Sequence, residues 1–293
     1  MDLLSDAVAA MRTGTPHSNR SENRAPWQQS FPAQQGAGFH VVLQGSCWLI
    51  PSAGDPIRLL AGDVAFLPRE RGHTIGDSPH PDHRDSTAGT AVMLCGAYLL
   101  DQSRAHPLLA ELPDVIHLPA RVGHHTPLRG AIELLGHELD TDHDSGAIAP
   151  LLEVLLLYML RAWYDDHPAD TGWSAALYDP AIHAALTAVH RAPGAPWTVK
   201  ALAAQAGLSR SVFAQRFTAT LGIAPQSYLT WWRMTLAARM LRDTDALLRV
   251  IAEKSGYTSE YAFAKAFKRE FGVAPGRFRA ADPVQVSLIR ATA

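Results

Sequence analysis

The C-terminal third of the chain carries one phrase twice. Phe217 leads to Leu221-Gly222-Ile223-Ala224-Pro225, and fifty residues later Phe267 leads to Phe271-Gly272-Val273-Ala274-Pro275. Each phrase closes a helix that starts behind a serine, Ser209 or Ser259. Each of those helices follows a shorter one that ends at a glycine, Gly207 or Gly256. A serine ahead of a helix accepts hydrogen bonds from its orphan N–H groups, and a glycine just past the end takes the left-handed turn. Helix, tight turn, helix is the pattern whose second member lies in a DNA major groove. Here it occurs twice: Thr198–Gly207 precedes Ser209–Leu221, Leu248–Gly256 precedes Glu260–Phe271, and a helix over Tyr228–Leu241 joins the pairs.

The overall charge hides this. The 293 residues, enough for about two domains, carry a formal net charge of −2. Residues 179–281 hold 14 Lys and Arg against 6 Asp and Glu, or +8, whereas the remainder holds 12 against 22, or −10. A basic block in an otherwise acidic chain is a surface for a polyanion, and binding that rests on phosphate contacts weakens steeply with salt. No run approaches the ~18 apolar residues of a membrane span. The N-terminus has no basic leader with an apolar core. Two cysteines, Cys47 and Cys95, exclude a disulfide scaffold and fit a reducing cytoplasm.

Residues 180–281, above all Ile251-Ala252-Glu253-Lys254-Ser255-Gly256-Tyr257-Thr258-Ser259 and the Phe263…Phe267…Phe271-Gly272-Val273-Ala274-Pro275 run, resemble the AraC/XylS family of bacterial transcription regulators. The resemblance implies two helix-turn-helix modules that read adjacent major-groove segments of double-stranded promoter DNA. Carried over, the first reading helix presents Arg210, Ser211, Ala214 and Gln215, and the second presents Glu260, Tyr261, Ala262 and Lys265. Arginine suits a guanine edge or a phosphate, and glutamine suits adenine. Lys268 and Arg269, further along, suit backbone phosphate. Ser211 and Ala214 are smaller than the residues some relatives place there, which weakens direct readout by the first module. Phe213, Phe217, Phe263 and Phe267 fall on the apolar face, and Trp231 and Trp232 are assigned to packing.

Ahead of this region lie short strand-like runs. Residues 1–35, broken by Pro16, Pro26 and Pro32, read as a loose arm. Phe39–Leu43, Ser46–Ile50, Ile57–Leu60, Val64–Pro68 and Thr90–Leu100, separated by Gly, Pro and Asp turns, read as an antiparallel barrel or sandwich. Gln44-Gly45 reads as a hairpin turn that sets Val42 opposite Cys47 and His40 on the same face as Cys47. Residues 76–90 read as a loop. Helical periodicity begins at Pro127. A second helix, Ile148–Trp163, is apolar on most faces and must be covered. Residues 165–178, with Pro168 and Gly172, read as a linker.

Gly62-Asp63 and Pro68…Gly72-His73 resemble the cupin barrel, and Phe39–Leu49 resembles the cupin sensor domain fused to AraC-type modules. An enzymatic cupin carries His-x-His and a following Glu. Here His40 stands alone, with Val at 42, so no catalytic residue is assigned. A metal-dependent cupin enzyme with an appended DNA-binding domain is the alternative. His40, Cys47, His73 and Cys95 suit zinc or another soft transition metal. The same residues suit a thiol redox switch, and buried cysteines also serve as small hydrophobes. His80, His83, His124, His125 and His137 are assigned to solvated surface.

The expected architecture is therefore α+β and multidomain. A cupin-like antiparallel β-barrel with a flexible arm fills 1–126, helices for dimerisation and linkage fill 127–178, an all-α double helix-turn-helix domain fills 179–281, and 282–293 is a tail. A homodimer acting on promoter DNA, whose cupin-like domain senses a metal, an oxidant or a small ligand, with RNA polymerase as a further partner and no membrane, is the functional expectation.

Overall fold

The computed structural model describes residues 3–80, 89–100, 106–140 and 146–280. Most of the expected 76–90 loop, His83 within it, and the 282–293 tail lie outside them. In chain order the elements are α1 (Leu3–Met11), β1 (His17–Arg24), β2 (Gln28–Phe31), β3 (Ala37–Gln44), β4 (Ser46–Pro51), β5 (Ile57–Leu60), β6 (Val64–Leu67), β7 (His73–Gly76), β8 (Thr90–Tyr98), α2 (Pro107–Glu111), β9 (Ile116–Leu118), α3 (Thr126–Asp140) and α4 (Ile148–Asp166). There follow α5 (Gly172–Tyr178), α6 (Pro180–Arg191), α7 (Val199–Gln205), α8 (Arg210–Leu221), α9 (Pro225–Asp243), α10 (Leu248–Lys254), α11 (Glu260–Phe271) and α12 (Pro275–Ala280).

The chain forms two compact units. One comprises residues 14–102 and 109–167, the other 1–13, 103–108 and 168–293. This corrects the expected boundaries. The helices over 127–167 belong to the β-rich unit, the first 13 residues belong to the helical one, and the expected linker holds α5, whose Trp173 is fully buried.

The β-rich unit has two antiparallel sheets, ordered β1-β8-β3-β6-β9 and β2-β7-β4-β5. Two strands come from the expected loose arm. β1 pairs with β8 over eight residues, from His17↔Ala97 to Arg24↔Thr90, and β2 pairs with β7. The expected Gln44-Gly45 hairpin does not form. β3 pairs with β6 and β8, whereas β4 pairs with β5 and β7, so the chain crosses between sheets at Gly45, whose φ of +77° needs glycine. β3 is a central strand, and six of its eight residues are buried. Both edges of β3 are taken, one by β6 and the other by β8, which leaves no place for β4. His40 is consequently the cross-strand partner of Cys95 rather than a diagonal neighbour of Cys47. Side chains from both sheets, among them Val42, Cys47, Leu49, Ile75, Met93 and Cys95, share one apolar cluster. α3 and α4 pack on each other, and the Tyr98 hydroxyl donates to the Leu152 carbonyl at 2.9 Å, fixing α4 to the sheet. α4 is not covered all round: Val154 is exposed, as is Leu134 on α3.

In the helical unit the caps fall where the sequence places them. Thr198 accepts from Ala201 N, Ser209 from Val212 N and Ser259 from Ala262 N, while Gly222 and Gly272 take φ of +71° and +76°. Asp179 caps α6 and also accepts from Arg216 Nε at 2.7 Å, tying α8 to α6. α9 runs longer than expected, because Pro225 suits a first helical position. α1 packs against α6 and α9. Around that contact sit two buried histidines. His190 stacks on Trp232 (3.9 Å), meets Tyr228 Oη at 2.6 Å and has Asp6 Oδ2 3.4 Å from its Nδ1. His106, fully buried, lies among Trp173, Trp231 and Trp232 and donates its backbone N–H to Met11 Sδ.

Burial pushes both imidazoles below their ordinary value, for His106 with the neighbouring His190 adding to it and for His190 with Asp6 opposing it. Burial, then His73, does the same to His40 in the other unit. The unfolded chain takes up these protons near pH 6.5, whereas the fold keeps them off. Their contribution to stability is thus complete above that pH and lost as the pH falls, by up to about 1.4 kcal/mol per pH unit for each histidine. The melting temperature is expected to drop between about pH 7.5 and 5.5, and His106→Phe to flatten the profile. Circular dichroism melts across that range check this, and a flat wild-type profile would contradict it.

Candidate functional site

Two sites emerge, one in each unit. In the helical unit, α8 and α11 bury one aromatic face each. Phe213, Phe217, Phe263 and Phe267 are at most 2% exposed, so the opposite face is turned to solvent. Arg210, Ser211 and Gln215 on α8 are exposed, as are Glu260, Tyr261, Ala262, Lys265, Lys268 and Arg269 on α11, and Ala214 is half-buried. Tyr261, 80% exposed, is an aromatic residue with no core to serve. Trp232 is buried and Trp231 half-buried, in keeping with packing.

In the β-rich unit the structure joins three of the four expected ligands and adds two residues that the sequence did not single out. Cys95 Sγ lies 3.0 Å from His40 Nδ1, His40 Nε2 lies 2.7 Å from His73 Nε2, and His73 Nδ1 lies 2.8 Å from Glu70 Oε1. All four side chains are buried. With both imidazoles neutral, one set of tautomers satisfies every contact. His73 Nδ1–H donates to the Glu70 carboxylate, His40 Nε2–H donates to His73 Nε2, and the Cys95 thiol donates to His40 Nδ1. Gly72 N–H also donates to Glu70 Oε1, and a Cβ at Gly38 would run into Glu70 Oε2. Phe31 stacks on His73 and meets the edge of His40, closing the site. Glu70 stands three residues before His73, the local signal in the sequence that ties it to this site. Phe31 had no local signal, since it enters through the pairing of β2 with β7.

Cys47 is buried in the shared apolar cluster and is no link of this chain. Burial pushes the Cys47 thiol up to about 12, with Cys95 and Asp63 adding to it, and burial pushes Cys95 up to about 12. The expected tetrahedral shell of His40, Cys47, His73 and Cys95 is therefore not formed by these positions. Cys95 and His73 meet different nitrogens of the His40 ring, on opposite edges, and one ion cannot replace both contacts. Among the described residues the donor atoms that converge within 4.8 Å belong to another group, His124, His125 and Asp166.

Two helix-turn-helix modules with exposed reading faces, following in the chain a two-sheet domain with a buried polar centre, define a transcription regulator with an N-terminal cupin-like domain. The sequence comparisons agree. Residues 2–165 match the Cupin family and residues 202–281 match a Helix-turn-helix domain family. A putative AraC-like transcription regulator of Streptomyces lividans is 36% identical, over 95% of this chain and 98% of its own length. The RCS-specific HTH-type transcriptional activator RclR of Escherichia coli K12 is 32% identical, over 82% of this chain and 83% of its own. Among solved structures, the DNA-binding domain of the global transcriptional factor AdpA, in complex with a target DNA, is 31% identical over 35% of this chain and 91% of that one, with a TM-score of 0.33. The chain belongs to the AraC-like family of transcription regulators. No helix among the described residues is long and apolar enough to cross a membrane.

Proposed function

We propose that this regulator senses a thiol-directed oxidant at Cys95 and that promoter occupancy follows the oxidation state of that side chain. The observation that supports it is the buried Cys95–His40–His73–Glu70 chain. A cysteine kept only as a small hydrophobe has no use for two imidazoles and a carboxylate in series behind it. With hydrogen peroxide, the sulfur attacks one peroxide oxygen and the O–O bond breaks. The thiol proton leaves through His40, the departing hydroxide takes up a proton to become water, and Cys95 ends as a sulfenic acid. That adds a polar oxygen where β8 meets β3, a packing change suited to biasing two conformations. The role is regulatory rather than catalytic, exercised on promoter DNA in the cytoplasm, where thiols start reduced.

Arg210, Ser211, Ala214, Gln215, Glu260, Tyr261, Ala262 and Lys265 are the proposed base-reading set, with Lys268 and Arg269 on phosphate. Each lost phosphate contact should lower the salt slope of binding by about one. The exposed Leu134 and Val154 support a homodimer through α3 and α4, and RNA polymerase is the further proposed partner. A soft metal such as zinc is the second reading. It is favoured by the facing Nε2 atoms of His40 and His73 with Glu70 behind one of them, an arrangement common around metal-bound histidine. It requires the His40 side chain to turn so that Cys95 and Cys47 reach the ion.

Fluorescence anisotropy on promoter fragments recovered from genomic DNA tests the proposal. Hydrogen peroxide is expected to change wild-type affinity at least tenfold and Cys47→Ser affinity likewise, while leaving Cys95→Ser unmoved, with one added oxygen on Cys95 by mass spectrometry. An unchanged wild-type affinity would overturn the oxidant reading. One metal ion per chain that is lost in Cys95→Ser would replace it with the second.

A further inference from the structure

We propose that His124, His125 and Asp166 form a surface site for a divalent transition-metal ion, best matched by zinc, that ties the start of α3 to the end of α4. One donor atom from each residue lies within 4.8 Å of the other two, and His125 Nε2 is already 3.0 Å from Asp166 Oδ2. Two imidazole nitrogens and one carboxylate oxygen are a donor set that Zn²⁺ accepts at about 2.0–2.2 Å. Three protein ligands leave a fourth position for water. His124 and Asp166 are exposed and His125 half-buried, so an ion from solvent reaches them without any opening of the fold.

The backbone is bent to make this cluster. Successive side chains of an extended strand point to opposite sides. Here His125, the residue ahead of α3, takes a φ of +49°, the left-handed region that residues with a Cβ enter at a cost. The bend brings consecutive imidazoles to the same carboxylate. Asp166 is the last residue of α4. A carboxylate at that pole of the helix dipole is unfavourable by itself, and a bound cation is favourable there. A plain His125–Asp166 ion pair would explain two of the three side chains and leave His124 without a reason to converge. The site lies apart from the Cys95 chain in composition as well. It contains no thiol, so it stays competent under oxidation, and it clamps the two helices whose outer face carries Leu134 and Val154.

The test uses the full chain, stripped with chelator and titrated with Zn²⁺ by calorimetry and by equilibrium dialysis. One equivalent is expected to bind in the micromolar range and to raise the melting temperature. His125→Gly should abolish that equivalent or weaken it at least tenfold while leaving the metal-free protein at least as stable as wild type, because glycine relieves the left-handed backbone. Asp166→Asn and His124→Ala should weaken it similarly. Cys95→Ser and His73→Ala should retain it, which keeps this ion distinct from any held by the buried chain. Absence of binding up to millimolar Zn²⁺ would overturn the proposal. So would an affinity unchanged in His125→Gly and Asp166→Asn, or an equivalent lost in Cys95→Ser but kept in His125→Gly.

Discussion

Phe267→Ala is expected to destabilise the helical unit by about 3–5 kcal/mol and to abolish specific DNA binding. Phe267 is fully buried and stacks on Phe271 at 4.3 Å, with Phe263 and Phe278 at 5.6 and 5.2 Å. It is the hub through which α11, α12 and α9 share a core with Ile251 and Leu241. The three aromatic rings around this position cannot collapse to fill the space of the lost one, so the cavity term adds to the transfer term. Whole domains are stable by only ~5–15 kcal/mol, which makes this loss large enough to loosen α11. Phe267→Leu, which keeps most of the volume, is expected to cost far less. Tyr261→Ala, at a position 80% exposed on the same helix, should weaken DNA binding with almost no change in melting temperature. Thermal melts beside anisotropy titrations separate the two effects. Normal DNA affinity in Phe267→Ala would refute the assignment of this residue to the core.

The helical unit was the more legible of the two because its signals are local. A Ser or Thr cap, a glycine in the left-handed region and an aromatic pair four residues apart are each read within one or two turns, and Thr198, Ser209, Ser259, Gly222 and Gly272 all fall as expected. The β-rich unit depends on partners far along the chain. β1, with the sequence His-Ser-Asn-Arg-Ser-Glu-Asn-Arg, shows no apolar alternation at all. It is an edge strand whose existence is decided by β8, more than 70 residues later. Gly45 reads equally well as a hairpin turn and as a crossing between sheets, since both need the same positive φ. Only the occupation of both edges of β3, by β6 and β8, decides between them. The candidate site was legible in residue type rather than in geometry. His40, His73 and Cys95 were named, but their linear order, the inclusion of Glu70 and the exclusion of Cys47 follow from which strands pair. α1 was missed for the same reason, since nine residues, though rich in Leu, Ala and Met, are too few to hold a helix alone and keep it by packing on α6 and α9.

That dependence gives the second large effect. Leu4→Ala, near the first residue of the chain, is expected to destabilise the DNA-binding unit rather than the cupin-like one, by about 2–4 kcal/mol. Leu4 is 4% exposed, and Leu3, Ala7, Ala10 and Met11 on the same helix are buried at least as deeply. Detachment of α1 would also take Asp6 from beside His190 and the Met11 sulfur from above the His106 backbone, so the aromatic cluster around Trp232 loses its cover as the helix leaves. The cost of any single substitution is capped by the free energy with which α1 docks, because a detached helix can lose nothing more. Leu4→Ala combined with Met11→Ala should therefore fall short of the sum of the two and approach the value for deletion of residues 1–13. Melts followed by tryptophan fluorescence, to which Trp173, Trp231 and Trp232 of the helical unit contribute, measure these differences, and DNA anisotropy reports whether the modules lose their geometry. If Leu4→Ala instead lowers the transition of the β-rich unit, or the double variant is fully additive and exceeds the deletion, α1 does not belong to the DNA-binding core. A shortfall matching the deletion makes the first thirteen residues part of it, although residues 14–102 of the β-rich unit separate them from the rest of the helical one.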